Sequence, residues 1–340
     1  MILVTGGAGY IGSHVVKQLL LQDQEIIVLD NLSTGFMHTI DALQEIKEFK
    51  FIDLDLKKFD RVEELFKIYN IKIVIHFAAF SQVGESIEEP LKYYMNNTVN
   101  TTNLVKCASV NGVSKFIFSS TAATYGEPDF TKTLKTMIDE KFDTKPINPY
   151  GMSKLMSENI IKDVANVCDT FKYVIFRYFN VAGADVSYIN NDLSPIIGEC
   201  HNPETHLIPL VLKTALNKRK SITIFGDDYD TYDGTCIRDY IHVEDLADAH
   251  IKAIDYLDYN ESDIFNCGYG HGYSVKEIVE SVKGVTEIDF QVIQGERRIG
   301  DPSILVSDNN KIKEKMNWIP KYDDLAFIVK SAYEWEKTVI

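Results

Sequence analysis

The sequence predicts an α/β fold, a doubly wound parallel sheet with a smaller C-terminal α/β lobe, and three observations carry that expectation. Short runs such as "ILVT" (2–5), "EIIVLD" (25–30) and "IKIVIHFAA" (71–79) are apolar nearly throughout and alternate with stretches of helical spacing. Strands apolar on both faces belong to a parallel sheet with helices on each side. A glycine-rich turn joins the first run to the first helical stretch, and past residue 180 the alternation loosens into long polar loops.

Taken in order, "ILVT" is the first strand and "IGSHVVKQLLLQ" (11–22) the first amphipathic helix. "EIIVLD" is a second strand ending on an aspartate. "FKFIDLD" (49–55), "IKIVIHFAA", "KFIFSS" (115–120) and "KYVIFRYFN" (172–180) repeat the design, with helices between them. Later helices are expected near 207–217, 243–257, 274–283 and 323–337, with short strands "ITIF" and "IFNC". The expected division is a dinucleotide-binding domain over 1–180 and mainly a substrate lobe over 181–340, with some C-terminal segments returning to the first domain. The lobe should close over the carboxyl ends of the strands, where such sheets bind ligands.

The bulk values of the 340 residues, 45% hydrophobic and 25% charged, are those of a globular protein, and no apolar run reaches membrane-spanning length. Met1 leads straight into a strand without a basic leader, so export is not expected and a cytoplasmic location is. A formal charge of −15 argues against nucleic-acid binding through the phosphate backbone. The five scattered cysteines form no CxxC and read as thiols of a reducing compartment.

Gly6, Gly9 and Gly12 form G-x-x-G-x-x-G between a strand and a helix, the Rossmann-type arrangement. Gly6 permits the tight turn, Gly9 lets backbone approach a pyrophosphate, and Gly12 lets helix and strand pack closely. The helix N-terminus then offers free N–H groups to phosphates. A lone glycine triplet is weak, but Asp30 stands 18 residues past Gly12, at a strand end where a carboxylate accepts from adenosine ribose hydroxyls. "NLSTGFM" after it holds no Arg or Lys for a 2′-phosphate, so the expected cofactor is NAD rather than NADP.

"NPYGMSKLMSE" sets Tyr150 and Lys154 four apart on one helix face. A tyrosine, with an ordinary pKa of about 10, is a poor base at neutral pH unless positive charge favours the phenolate. Y-x-x-x-K arises by chance on many amphipathic helices; the preceding NAD turn and the strand end "FSSTAATYG" give it meaning here. Thr121 offers a hydroxyl to hold a reacting oxygen or relay a proton, whereas Ser119 and Ser120 suit backbone capping. In "GECHNPETHLIP", Cys200, His201, Glu204 and His206 fit no standard zinc spacing, so a ligand loop without metal is expected.

Together, "TGGAGYIGSH", "LDNLSTG", "HFAA", "VGES", "YYMNN", "FSSTAATYG", "NPYGMSK", "RYFNVAGA", "HLIP", "RDYIHVEDLADAH" and "RRIGDP" resemble the UDP-glucose/UDP-galactose 4-epimerase family of extended short-chain dehydrogenase/reductases, in order from residue 1 to about 335. The resemblance implies a resident NAD, a Tyr150 phenolate that takes the 4′-hydroxyl proton while C4 gives hydride to the nicotinamide, and a 4-keto sugar that turns and is reduced on its other face. Lys154 would hold the nicotinamide ribose and lower the Tyr150 pKa, and Thr121 would assist at the 4′-oxygen. The resemblance also implies cofactor contacts from Tyr10 and Ile11 at the pyrophosphate and from Asp30, Asn31, Leu32, Ser33, Thr34 and Gly35 around the adenosine. Asp55 and Leu56 would lie at the adenine edge, with Phe77, Ala78, Ala79, Phe80, Ser81, Asn97 and Phe179 bordering the cofactor.

For the UDP-sugar substrate it implies Asn180, His206, Leu207, Phe225, Arg238, Arg298 and Asp301, and Leu305 as the residue gating the sugar's C2 substituent. Leucine lies between the large residue that restricts the pocket to plain hexoses and the small one that admits N-acetyl sugars. Cationic donors in an acidic protein suit a diphosphate, which supports Arg238 and Arg298 independently. Ser81 departs from the lysine of some members, and Val181 from a common proline. A homodimer through helices around 91–111 and 150–168 is also implied. The nearest competitor is a nucleotide-sugar dehydratase or decarboxylase. A dehydratase needs an acid/base pair beside the hydroxyl residue, but Ala122 and Ala123 follow Thr121, and Glu127 and Asp129 come too late. A non-catalytic NAD binder would not need Tyr150, Lys154 and Thr121 together.

Overall fold

The structure, a computed structural model, describes residues 1–128, 130, 137–187, 195–298 and 301–339. The chain opens with β1 (Ile2–Thr5), α1 (Tyr10–Leu21), β2 (Ile26–Asp30), α2 (Met37–Ile46), β3 (Lys50–Asp53), α3 (Phe59–Ile68) and β4 (Ile73–His76). A helical arm follows: α4 (Val83–Glu88), α5 (Pro90–Tyr93), a π-helical turn over Tyr94–Val99 and α6 (Asn100–Val110). Then come β5 (Lys115–Thr121), a 3₁₀ turn at Ala122–Thr124, α7 (Pro149–Val167), β6 (Lys172–Tyr178) and β7 (Asn180–Ala182). The rest comprises α8 (Leu207–Ala215), β8 (Ile222–Phe225), β9 (Ile237–Arg238), β10 (Tyr240–His242), α9 (Val243–Tyr259) and β11 (Asp263–Cys267). It ends with β12 (Tyr273–Ser274), α10 (Val275–Thr286), β13 (Val292–Gly295), β14 (Ile304–Leu305), α11 (Asn310–Met316) and α12 (Leu325–Thr338).

Among the described residues, seven parallel strands form one sheet in the order β11–β6–β5–β4–β1–β2–β3. Neighbouring residues of a strand face opposite sides, and the sequence supplies apolar groups to both. Leu3, Ile27, Val74 and Phe116 join a core with Val62 of α3, Leu104 of α6 and Ile161 of α7. Val4, Val28, Ile75 and Ile117 join one with Val15 of α1 and Leu246 of α9. The order reverses between β1 and β4, so a crevice opens at their carboxyl ends, the place such sheets hold a ligand.

"IFNC", expected among the short strands of the second lobe, is β11 and pairs parallel with β6 over Asp263–Cys267. The lobe itself is built from α8, α10 and α12 around small ladders, β8 with β13 and β9 with β12 and β14. Lys17 of α1 is buried between Asp185, at 2.5 Å, and Glu244 at the start of α9. Removing one partner of such a buried set leaves an uncompensated charge, so the triad ties the loop after β7 and the start of α9 to α1. No described helix is long and apolar enough to cross a membrane.

Candidate active site

The crevice is a cavity of about 570 Å³, and the glycine turn forms its floor. Gly6 has φ +74°, and a Cβ there would lie 2.5 Å from the Ala78 nitrogen. A Cβ on Gly12 would lie 2.2 Å from the Gly6 carbonyl oxygen, so only glycine lets α1 start so close to β1. Gly9 is the N-cap of α1 and offers no side-chain cap, leaving the first N–H groups of the helix for a ligand. Asp30 sits at the end of β2, its Oδ2 accepting from Ala8 N at 3.0 Å and its Oδ1 from Leu32 N at 2.8 Å. The carboxylate keeps acceptor capacity for a hydroxyl. Burial raises the Asp30 pKa against these hydrogen bonds. A pyrophosphate-and-ribose cofactor fits this cradle.

Gly6, Gly9, Tyr10, Ile11, Gly12, Asp30, Asn31, Ser33, Thr34, Asp55, Leu56, Phe77, Ala78, Ala79, Phe80, Ser81 and Phe179 line the cavity. Leu32, Gly35 and Asn97 do not. Leu32 turns the backbone with φ 55°, and Gly35 packs against Ala8. Asn97 braces the wall from behind: its Oδ1 accepts from Phe80 N at 2.9 Å, and its Nδ2 donates to Phe80 O and Ser153 Oγ, each at 3.0 Å. Asn31 holds Asp55 through a 3.0 Å bond. Beside Ser81 the cavity carries Lys92, whose ammonium lies 4.7 Å over the Phe80 ring and 2.5 Å from Glu85.

Tyr150, Lys154 and Thr121 open into the same cavity. Asn148 caps α7, accepting from Gly151 N at 2.8 Å, and Pro149 opens its first turn, so the local sequence sets Tyr150 at the helix start. Burial pushes the Tyr150 phenol up, and a hydrogen bond from Thr121 pulls it part of the way back. Thr121 Oγ1 accepts from Ala123 N at 3.1 Å, which orients the hydroxyl and leaves its proton for the phenol. Lys154 Nζ donates to the Ser119 carbonyl at 2.7 Å and lies 4.9 Å over the Phe118 ring. Burial lowers its pKa to about 7, against the pull of Glu158.

The predicted substrate residues fall into two groups. Asn180, His206, Leu207 and Leu305 line the cavity. Phe225, Arg238, Arg298 and Asp301 do not. Arg298 stacks 4.1 Å over Phe225, and Arg238 bonds Asp301 at 2.9 Å. The strand pairing Leu305↔Arg238 links the second group to the cavity edge. Glu127 is exposed, and Asp129 lies outside the described residues.

Folding gathers His201, Glu204 and His206 of the loop read from sequence as metal-free together with Glu199, which that reading had not singled out, in place of Cys200. Burial alone would lower the pKa of both imidazoles, but the two carboxylates outweigh it, holding His201 at about 9 and His206 at about 10. Cavity residues not singled out from sequence include Ser119, Tyr178, Tyr240 and Glu199. Tyr178 lies within the quoted "RYFN" motif, and its position at the end of β6 was the available signal.

The model of the NAD dependent epimerase/dehydratase family matches residues 2–268. The UDP-glucose 4-epimerase of Lacticaseibacillus casei is 44% identical over 339 residues, which cover 99% of this chain and 96% of that protein. Among solved structures, the UDP-Glc/GlcNAc 4-epimerase from the human pathogen Campylobacter jejuni is 51% identical with TM-score 0.85, covering 99% of this chain and 98% of that one. The UDP-glucose 4-epimerase from Bifidobacterium longum in complex with NAD+ and UDP is 35% identical with TM-score 0.91, over 99% and 98% of the two chains. With the glycine cradle and the Tyr150–Lys154 face in one cavity, and similarity along the whole chain, the protein belongs to the NAD dependent epimerase/dehydratase family, among its UDP-glucose 4-epimerases.

Proposed function

We propose that the chain interconverts UDP-glucose and UDP-galactose at C4 with NAD held in the glycine-floored cleft. The observation that carries this reading is that Tyr150, Thr121 and Lys154 open into the same cavity as the Gly6–Gly12 turn and Asp30. Bound there, NAD supplies a hydride acceptor that gives back what it takes. The chain's own residues manage the proton and the position. Tyr150 as phenolate accepts the proton of the 4′-hydroxyl and later returns it. Thr121 stabilises that phenolate by donating to it. Lys154, anchored by the Ser119 carbonyl and open to the cavity, would hold the nicotinamide ribose.

The second group, Phe225, Arg238, Arg298 and Asp301, suits the nucleotide end of a UDP-sugar: a cation-backed aromatic face and an arginine for the diphosphate. Anchoring there, away from Tyr150, leaves the sugar free to turn, which epimerisation needs. Ala122 and Ala123 line the cavity after Thr121, where a dehydratase would need an acid/base pair. N-acetylated UDP-sugars belong to the proposed range: Leu305 lines the cavity, and the 51% identical neighbour bears a name that includes GlcNAc.

The chain acts as a cytoplasmic homodimer in this reading. Its five cysteines are free. Leu91 and Met95, 75% and 61% exposed, and Met156 form apolar surface on the α5–π-turn and α7 faces, suited to a bundle with a second copy. The test is incubation of purified protein with UDP-galactose and no added NAD, resolving UDP-glucose by chromatography. Conversion is expected, with Tyr150→Phe slower by about 10²–10⁴-fold. Unchanged UDP-galactose, or a fully active Tyr150→Phe, would overturn the reading.

A further inference from the structure

We propose that Glu199, His201, Glu204 and His206 form a tetrahedral site for a zinc-class divalent cation at the rim of the cofactor cavity. One donor atom from each residue lies within 4.8 Å of all the others. His201 Nδ1 stands 3.4 Å from Glu199 Oε1 and 3.3 Å from Glu204 Oε2. His206 Nδ1 stands 2.7 Å from Glu199 Oε1 and 3.2 Å from Glu204 Oε1. A tetrahedral ion with bonds of about 2.0–2.1 Å spaces its donors roughly 3.3–3.4 Å apart. Both His201 separations match; His206 meets the other Glu204 oxygen, so that carboxylate must turn to present a single oxygen, and the 2.7 Å contact to Glu199 is short. The His206 side chain is 44% exposed and has room to move back.

The donor chemistry agrees with the geometry. Two imidazoles and two carboxylates are a zinc-type set, and the two negative charges balance one dication. The Glu199 and Glu204 side chains are almost fully buried. Glu204 is held in place because its Oε1 accepts from Thr205 N at 2.7 Å and His206 N at 2.8 Å. Such outer bonds orient a ligating carboxylate before the metal arrives. The His201 ring stands edge-on to Tyr10 with centroids 6.3 Å apart. An ion bound here would therefore pin the 199–206 loop against the start of α1. His206 would bind it through Nδ1, leaving Nε2 and the N-terminus of α8 for a substrate diphosphate. The site does not depend on the sugar reading.

Cobalt(II) is the probe, because its visible absorption reports tetrahedral coordination. The full-length protein with its bound NAD, stripped of metal by EDTA, would be titrated with Co²⁺. The expected result is a tetrahedral spectrum saturating at one equivalent per chain and displaced by Zn²⁺. His201→Ala and Glu204→Gln should each abolish it with unchanged circular dichroism, whereas Cys200→Ser should retain it. If Glu204→Gln misfolds, His201→Ala, at a partly exposed position, decides the matter. Absence of the spectrum at saturating Co²⁺, its survival in His201→Ala, or its loss in Cys200→Ser would overturn the proposal; in the first case the four groups form a protonated ion-pair cluster only.

Discussion

Arg177 clamps Glu158 through two hydrogen bonds, Nε to Oε1 at 3.0 Å and an NH2 group to Oε2 at 2.6 Å, with both side chains nearly inaccessible. Ser120 Oγ donates to the same carboxylate at 2.5 Å. Glu158 lies one turn beyond Lys154, so this buried network ties the helix bearing Tyr150 and Lys154 to the ends of β5 and β6. Glu158→Ala strands the guanidinium and is expected to cost about 3–5 kcal/mol, read by urea unfolding. Glu158→Gln, which keeps an acceptor, should cost less.

Thr121 bears on the pH at which the base works. Its hydrogen bond lowers the Tyr150 pKa against the upward push of burial. Thr121→Val should therefore move the ascending limb of the kcat/KM profile to higher pH and lower the neutral-pH rate. A profile that keeps its position would deny Thr121 this role.

Lys154 makes stability depend on pH in a definite direction. Its folded pKa of about 7 lies below the ordinary 10.5. Below pH 7 both states carry the proton, and the penalty for burying charge is complete. Between about 7 and 10.5 only the unfolded chain binds it, so stability rises with pH by up to about 1.4 kcal/mol per unit. In cofactor-free protein, the deficit of wild type relative to Lys154→Met should shrink as pH rises through that window. Denaturant titrations at several pH values check it.

Leu305 sets the outer limit on the sugar in the proposed substrate range. Leu305→Tyr should reduce turnover of UDP-GlcNAc by at least about tenfold relative to UDP-glucose. Equal losses on both substrates would remove Leu305 as the discriminating residue.

The proposed dimer face is tested by charge. Leu91→Glu combined with Met95→Glu should convert the protein to monomer on size-exclusion chromatography with light scattering, without loss of helix content. A double variant that elutes unchanged would place any self-association elsewhere.

The parts of the site legible in the sequence are those whose spacing is local. Gly6 to Gly12 and Tyr150 to Lys154 lie within one turn or helix, so their relative placement follows from chain geometry. Asp30 was legible because a strand of fixed rise carries it to the crevice. Asn97 was not read as a brace, since its partners Phe80 and Ser153 come from separate elements. Glu199 joins the histidines only through an irregular loop, where no periodicity sets direction. The place of β11 was hidden for a related reason: "IFNC" reads the same in a small ladder or at the edge of a large sheet.

That edge position has a consequence for synthesis. When the ribosome has made residues through β6, six strands can assemble, but the outer side of β6 carries unmatched amide and carbonyl groups. Its natural neighbour is some eighty residues away in sequence, at Asp263–Cys267. Until those residues emerge, the nascent chain presents a sticky, one-sided template for β-pairing with other chains. Release before residue 267 should thus leave an aggregation-prone fragment rather than a free cofactor-binding module.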